Sequence, residues 1–302
     1  MRANPRAAIA PPTTPLAAAN RRGILAMSAS MAIFIVSDAL VKVVGETLPV
    51  AQLLFMRGLM AVIVVFTAAR VQGVIGQIGK VTQPRVVLRA ILDALASFLY
   101  IASLLHLPLG NATAINLATP LFITLFAVFF LREQVSPPRW IAVLFGFAGV
   151  LMIIQPRAEG FNAYTLMCLA GTLFHAARDL LTRRIGRGTP SILVTLSTAI
   201  VVTLLSGALS LVQGWLPFGP REFALLALAA ALQSAAYVLI INSMREGELS
   251  LIAPFRYTGL LFALVLGYLV WGDIPNLLAW FGIALMLGAG LYMLHAERPR
   301  RP

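Results

Sequence analysis

The chain has 302 residues, of which 60% are hydrophobic and only 11% are charged. Soluble domains carry about 25% charged residues, so this composition excludes a water-soluble globular protein. A membrane-spanning helix needs roughly 20 apolar residues, so ten such helices would use about 200 positions and leave no room for a soluble enzyme domain. The net charge of +12 is typical of basic cytoplasmic loops in a membrane protein, and we expect no nucleic-acid partner.

The apolar segments predict ten membrane-spanning helices joined by short connections. Residues 1–21 have no apolar helical stripe and are interpreted as a disordered cytoplasmic tail, and residues 297–302 form a second cytoplasmic tail. The predicted spans are residues 23–44, 49–70, 84–106, 111–131, 137–155, 161–185, 189–213, 221–244, 249–270 and 275–295. The single cysteine, Cys168, lies inside a span and excludes an internal disulfide or a cysteine-based metal cluster.

The basic residues predict the orientation of the chain in the membrane. With the N-terminus inside, 17 Lys and Arg residues fall on the cytoplasmic side and only three on the other side. Cytoplasmic loops are enriched in Lys and Arg, so we expect both termini in the cytoplasm.

An internal repeat divides the chain into two halves. A shift of 141 positions superposes Asp38 on Asp179 and Pro49 on Pro190, and a shift of 140 pairs Trp140 with Trp280. We interpret residues 22–156 and 157–296 as two five-helix repeats. Because five is odd, the second repeat enters the membrane from the opposite side, and inverted repeats are typical of secondary transporters.

Several short motifs carry a family resemblance over residues 22–295. They are Ala118-Thr119-Pro120 in the first half, and Ala253-Pro254-Phe255-Arg256-Tyr257 and Gly272-Asp273-Ile274-Pro275 in the second. The chain resembles the drug/metabolite transporter superfamily, EamA type, although the usual Gly-Glu after the ninth span is Gly272-Asp273 here. The resemblance implies an all-α, ten-helix carrier of the bacterial inner (plasma) membrane that exports amino acids and other metabolites.

Four charged residues inside spans are candidates for gates. An ionisable group in the middle of a membrane helix costs about 2.5–3.5 kcal/mol, so each should face protein or water. Asp38 and Arg57 fall at one depth toward the outside, and Asp179 and Arg256 fall at a matching depth toward the inside, so each pair could close one entrance. In the alternative, each aspartate pairs with the basic residue four positions later in its own helix.

Polar groups near the midplane are candidates for the substrate site. A carrier for a zwitterion needs an anion, a cation and hydroxyl or amide donors where the two repeats meet. The candidates are Asp93, Tyr100, Asn116, Thr119, His175, Gln233, Tyr237, Arg256 and Tyr257. The tyrosines would suit an apolar or aromatic substrate. Pro120 and Pro254 interrupt helical hydrogen bonds and are candidate hinges.

Asp93 has two interpretations. If Arg89 extends to the cytoplasmic interface, Asp93 is a candidate for proton coupling; if Arg89 stays close, the two form a structural pair.

The sequence favours a carrier over other functions. It has no zinc-protease or phosphate-loop motif, so we expect no enzyme, no metal and no cofactor. Export of amino acids, including apolar and aromatic ones, is the leading hypothesis. The alternatives are uptake of a vitamin-like metabolite such as riboflavin and, in another class, an oligomeric pore or lipid flippase. Glycines in spans five and ten indicate close helix packing or dimerisation, so the protein is expected as a monomer or homodimer.

Overall fold

The computed structural model is mostly helical in the part of the chain that it describes. That part comprises residues 15–131, 137–155, 163–182, 184–186, 188–246 and 252–296, and it contains no strand. The α-helices are α1 (Pro15–Val44), α2 (Val50–Val71), α3 (Pro84–Leu104), α4 (Leu109–Asn116), α5 (Thr119–Leu131), α6 (Pro137–Ile154), α7 (Ala163–Thr182), α8 (Ser191–Gln213), α9 (Pro220–Glu246), α10 (Thr258–Trp271) and α11 (Leu277–Ala296). Two 3₁₀ helices cover Ile75–Thr82 and Ala253–Tyr257.

The helices identify a multi-pass membrane protein. Six helical segments are long and apolar enough to cross a bilayer, one of which combines α4 with most of α5: Ala18–Val44, Val50–Val71, Pro84–Leu104, Leu109–Phe126, Ser191–Gln213 and Pro220–Ile240. Three further apolar segments are shorter, and α7 carries charge near its C-terminal end. A membrane crossing by all ten predicted spans stays a prediction.

The first helix begins earlier than the sequence predicted. α1 starts at Pro15, so residues 15–21 of the predicted N-terminal tail are helical. Proline is well tolerated in the first turn of a helix because the N–H that it lacks has no partner there. Residues 1–14 and 297–302, the rest of the two predicted tails, lie outside the described residues.

The fourth predicted span is broken in its middle. α4 ends at Asn116 and α5 begins at Thr119, with Leu117 and Ala118 in a turn. Pro120 has no N–H to donate to the carbonyl of Asn116. The Thr119 hydroxyl donates to that carbonyl instead, at 2.6 Å, so the carbonyl of Asn116 still accepts a hydrogen bond.

The ninth predicted span is also discontinuous. It enters through the 3₁₀ helix Ala253–Tyr257, which contains Pro254, and continues as α10. The Thr258 hydroxyl donates to the carbonyl of Phe255 at 2.7 Å across the junction. Spans four and nine therefore both place irregular backbone inside the bundle.

Ten of the eleven described α-helices form five pairs, each with one helix from each half of the chain, and α5 packs mainly against α7. α1 packs against α9, α2 against α8, α3 against α7, α4 against α10, and α6 against α11. Gly149 and Gly282 make the α6–α11 crossing close, since a Cβ on either would lie 2.6 Å from the other's carbonyl oxygen. At least part of the small-residue pattern in spans five and ten thus serves packing within the chain.

One end of the bundle is tied together by polar contacts between connections. The Gln52 side chain exchanges two hydrogen bonds with the backbone of Leu216, at 2.8 and 2.9 Å. Gln155 and Asn276 exchange two more, at 2.8 and 3.0 Å. The charge asymmetry of the loops predicts that this end lies outside, which stays a prediction.

Lys42 belongs to the same end and does not pair with Asp38. Its ammonium group donates to the carbonyl of Leu107 and lies 5.0 Å from the centre of the Trp271 ring. Asp38 accepts a hydrogen bond from Tyr100 instead. The intrahelical alternative is therefore wrong for Asp38, because the side chain of Lys42 reaches toward a neighbouring loop; for Asp179 it concerns Arg183, which lies outside the described residues.

Candidate functional site

A cavity of about 300 Å³ lies where the two halves of the bundle meet, and we call it the central cavity. The sequence predicts fourteen residues that bind substrate, form a gate or act as a hinge. Twelve of them line this cavity. They are Asp38, Arg57, Tyr100, Asn116, Thr119, Pro120, His175, Asp179, Gln233, Tyr237, Arg256 and Tyr257. The break between α4 and α5 brings Asn116, Thr119 and Pro120 to its wall.

Asp38 on α1 and Arg57 on α2 both line the central cavity. The Tyr100 hydroxyl donates to Oδ2 of Asp38 at 3.2 Å, and Arg57 lies within electrostatic range of the same carboxylate. Arg57 is only 6% exposed, so its guanidinium can meet only protein or the contents of the cavity. Asp38 and Arg57 thus line the same cavity, and their role as an outer gate stays a prediction.

Asp93 lies behind the cavity wall in a cluster of ion pairs. Arg178 on α7 donates to Oδ1 of Asp93 at 2.6 Å and also contacts Asp179 at 2.8 Å. Arg89 remains 3.4 Å from Asp93 and donates to Thr198 at 2.5 Å. Arg89 thus does not extend away from Asp93, because Thr198 holds its guanidinium inside the bundle.

Arg256 is a cation of the cavity, and among the described residues it has no acidic partner. It shares the central cavity with Asp179, but no carboxylate among the described residues lies within ion-pair distance of it. Asp179 instead forms an ion pair with Arg178 in this conformation. The inner gate formed by Asp179 and Arg256 is therefore not closed here and stays a prediction for another conformation.

Neutral polar and aromatic groups complete the wall. Nδ1 of His175 lies 2.8 Å from Oδ1 of Asn116, so the imidazole donates to the amide oxygen. The rings of Phe34 and Tyr237 meet edge to face with centroids 5.1 Å apart. The ring centroids of Tyr100 and His175 are 6.2 Å apart. The cavity thus combines both signs of charge with flat apolar surfaces.

The prediction from sequence missed some contributors. Arg178 lines the cavity, and it shares a helix face with His175 and Asp179 because residues i, i+3 and i+4 are neighbours on a helix. The sequence marks Arg178 as a charge inside a span, but the prediction did not assign it to the site. Phe34 and Ser97 also line the cavity, and no local pattern separates them from other residues of their apolar helices.

Pro254 and Asp93 are the two remaining predicted residues. The backbone of Pro254 lies in the 3₁₀ helix that leads into α10, and its side chain is outside the described part of the chain. Asp93 lines a neighbouring cleft. No group of three or more His, Cys, Asp and Glu residues in the described ranges is placed to hold a metal ion.

Comparisons with known proteins identify the family of this chain. The family model for the EamA-like transporter family matches the chain twice, at residues 21–155 and 162–294. The chain is 30% identical to a riboflavin transporter of Rhizobium johnstonii over 71% of this chain and 72% of the relative. It is 25% identical to the pseudopaline exporter CntI of Pseudomonas aeruginosa over 91% of this chain and 96% of that protein.

Two further comparisons concern uptake and fold. An S-adenosylmethionine uptake transporter of Rickettsia conorii is 26% identical over 63% of this chain and 65% of its own length. A solved crystal structure that is 21% identical matches with a TM-score of 0.63, over 92% of this chain and 99% of the other. That likeness shows a shared fold. Because the family model covers nearly the whole chain in two segments, the protein belongs to the EamA-like transporter family.

Proposed function

We propose that this chain is a secondary transporter of the bacterial inner membrane that moves a small organic metabolite by alternating access between two inverted five-helix halves. The observation that carries the proposal is the central cavity, which takes Asp38 and Tyr100 from the first half and His175 and Arg256 from the second. A site shared by two repeats lets a relative movement of the halves expose it to either side.

The pairing of helices supports the inverted arrangement of ten spans. Exchange of the two halves replaces α1 by α7, α2 by α8, α3 by α9, the span formed by α4 and α5 by α10, and α6 by α11. Under this exchange the α1–α9 contact becomes the α7–α3 contact, which is also observed. The α2–α8, α4–α10 and α6–α11 contacts map onto themselves. Two-fold pseudosymmetry has this property, and the two matched segments of the family model fit the same division.

Export of amino acids is the leading proposal for the substrate. Arg57 and Arg256 offer cations to a carboxylate, Asp38 offers an anion to an amine, and Phe34 and Tyr237 offer apolar faces to a side chain. This set fits a zwitterion with an apolar or aromatic side chain.

Uptake of a vitamin-like metabolite such as riboflavin is the second candidate. The riboflavin transporter of Rhizobium johnstonii favours it, as do the aromatic side chains of the cavity, which could stack on a flat ring.

Counterflow in proteoliposomes tests the proposal. Vesicles loaded with one unlabelled amino acid or with riboflavin should accumulate the labelled form of that compound, with saturable rates, if the protein is a carrier. Arg256→Gln should lose most of this transport, whereas Arg221→Gln, an exposed arginine outside the cavity, should retain it. Flux that does not saturate and is not stimulated from the opposite side would indicate a pore instead.

Proton coupling through Asp93 is part of the proposal. If Asp93 carries the coupled proton when the ion cluster opens, Asp93→Asn abolishes stimulation by an imposed pH gradient but spares substrate exchange, which need not cycle the proton. Exchange activity also shows that the variant is folded. A response of this variant equal to that of the wild type would exclude Asp93 as the coupling group.

A further inference from the structure

A second cavity of about 360 Å³ adjoins the central cavity, and we call it the side cleft. It lies among α2, α3, α8 and α9. The two cavities share Arg57, Ser97, Gln233 and Tyr237, so these four side chains form the boundary between them.

The side cleft differs from the central cavity in chemistry. Away from the boundary its walls are small or aliphatic side chains, such as Ala61 and Val65 on α2, Ala199 on α8 and Ala231 on α9. Its charged residues are Arg57 at the boundary and the Arg89–Asp93 pair. Both members of that pair have another partner, since Arg178 donates to Asp93 and Arg89 donates to Thr198. A ligand in the cleft therefore meets mainly apolar surface.

The dimensions of the two spaces indicate a ligand that fills both. Ligand sites in proteins occupy about 300–1,000 Å³, so the central cavity alone lies at the small end of this range. The side cleft is somewhat larger than the central cavity, and small side chains on three helices create its room. Arg256, which has no ion-pair partner in the described part of the chain, lines only the central cavity, and the apolar cleft lies beyond the shared boundary.

We propose that the substrate has two parts: a charged head with a carboxylate or similar anion, which binds near Arg256, and a flat or elongated apolar part, which passes Gln233 and Tyr237 into the side cleft. This inference rests on the proposed function and narrows its substrate class to amphipathic metabolites. Burial of the apolar part contributes affinity in proportion to its area, and Arg256 selects the head.

Matched probes separate the two compartments. Tryptophan and alanine share a zwitterionic head and differ in the apolar part, and indole-3-acetate and acetate do the same for an anionic head. Binding of the radiolabelled compounds to the purified full chain in lipid nanodiscs measures both. We expect the indole-bearing member of each pair to bind at least about tenfold more tightly than its small partner.

Two substitutions fill the side cleft from opposite walls without touching the central cavity. Ala61→Phe and Ala231→Phe should each reduce the preference for the indole compounds to less than about threefold and leave the affinity for alanine unchanged. Ala224→Phe is the matched control, because Ala224 lies two turns before Ala231 on α9, is exposed and lines neither cavity. Unchanged alanine binding shows that each variant is folded.

Three outcomes would overturn the proposal. The filled variants could keep the full preference for indole, as expected if a lipid acyl chain occupies the cleft. They could lose both members of a pair equally, or the wild type could bind none of the four probes. Counterflow with other metabolites decides separately whether the transporter function stands.

Discussion

Asp93 and Asp179 both contact Arg178, but they are buried to different extents. The side chain of Asp93 is 4% exposed and that of Asp179 is 26% exposed. Removal of one partner from a buried ion pair leaves an uncompensated charge, whereas a more exposed pair contributes little. The two aspartates should therefore differ in their contributions to stability.

Asp93→Asn should lower the free energy of unfolding by about 2 kcal/mol, since Arg89 and Arg178 lose their common carboxylate although Arg178 keeps Asp179. Asp179→Asn should cost less than about 1 kcal/mol. Unfolding in mixed micelles with increasing denaturing detergent measures both. Equal losses in the two variants would show that depth of burial does not set the energy of this cluster.

The charges of Asp179 and Arg256 should meet in the outward-open conformation. Reversal of either charge should damage transport, and the double variant Asp179→Arg/Arg256→Asp should restore part of it. Residues that interact give non-additive effects in a double-mutant cycle, which counterflow rates can measure. Independent, additive losses would indicate that Asp179 does not pair with Arg256 and keeps its ion pair with Arg178 in every conformation.

The broken span formed by α4 and α5 is an element on which transport should depend. Pro120→Ala supplies an N–H that can close the helix across residues 116–119, so the variant should be as stable as the wild type to within about 1 kcal/mol. Its counterflow rate should fall about tenfold, because Asn116 and Thr119 would turn away from the central cavity. Pro84→Ala at the start of α3, outside both cavities, is the control and should transport normally. A normal rate for Pro120→Ala would show that the break has no role in transport.

The α6–α11 pair should depend on its two glycines. Gly149→Ala places a methyl group 2.6 Å from the carbonyl oxygen of Gly282 and 2.9 Å from the backbone nitrogen of Met286, so the helices must separate. We expect a loss of about 2 kcal/mol in unfolding free energy. Gly288→Ala on α11 should change it by less than about 0.5 kcal/mol, because no atom lies within 4 Å of the added carbon. Equal stability of the two variants would contradict this account of the crossing.

At the scale of the whole molecule, the basic loops predict the orientation in the membrane. The native thiol of Cys168 is fully buried, so single cysteines can be introduced without background labelling. Cysteines at positions 76 and 300 should be shielded from an impermeant thiol reagent in intact spheroplasts, and one at position 218 should react. Reaction of either predicted cytoplasmic site from outside would reverse the orientation.

Many residues of the candidate site could be predicted because polar groups in apolar helices are unfavourable in contact with lipid. Asp38, Arg57 and His175 are costly in lipid, so they must face protein or water wherever the helices pack. The contacts among them could not be predicted. Asp93 meets Arg178 across 85 positions of sequence, and that pairing depends on how α3 and α7 are rotated against each other.

The sequence by itself determined the class of protein, the helical segments and the polar positions, because long apolar runs, prolines and isolated charges are local features that act without knowledge of the fold. Only the tertiary structure decided which helices pair, that Lys42 contacts Leu107 and not Asp38, and that a side cleft opens beside the central cavity. Those features depend on the distances and rotations between helices, which are set by contacts between residues far apart in the chain.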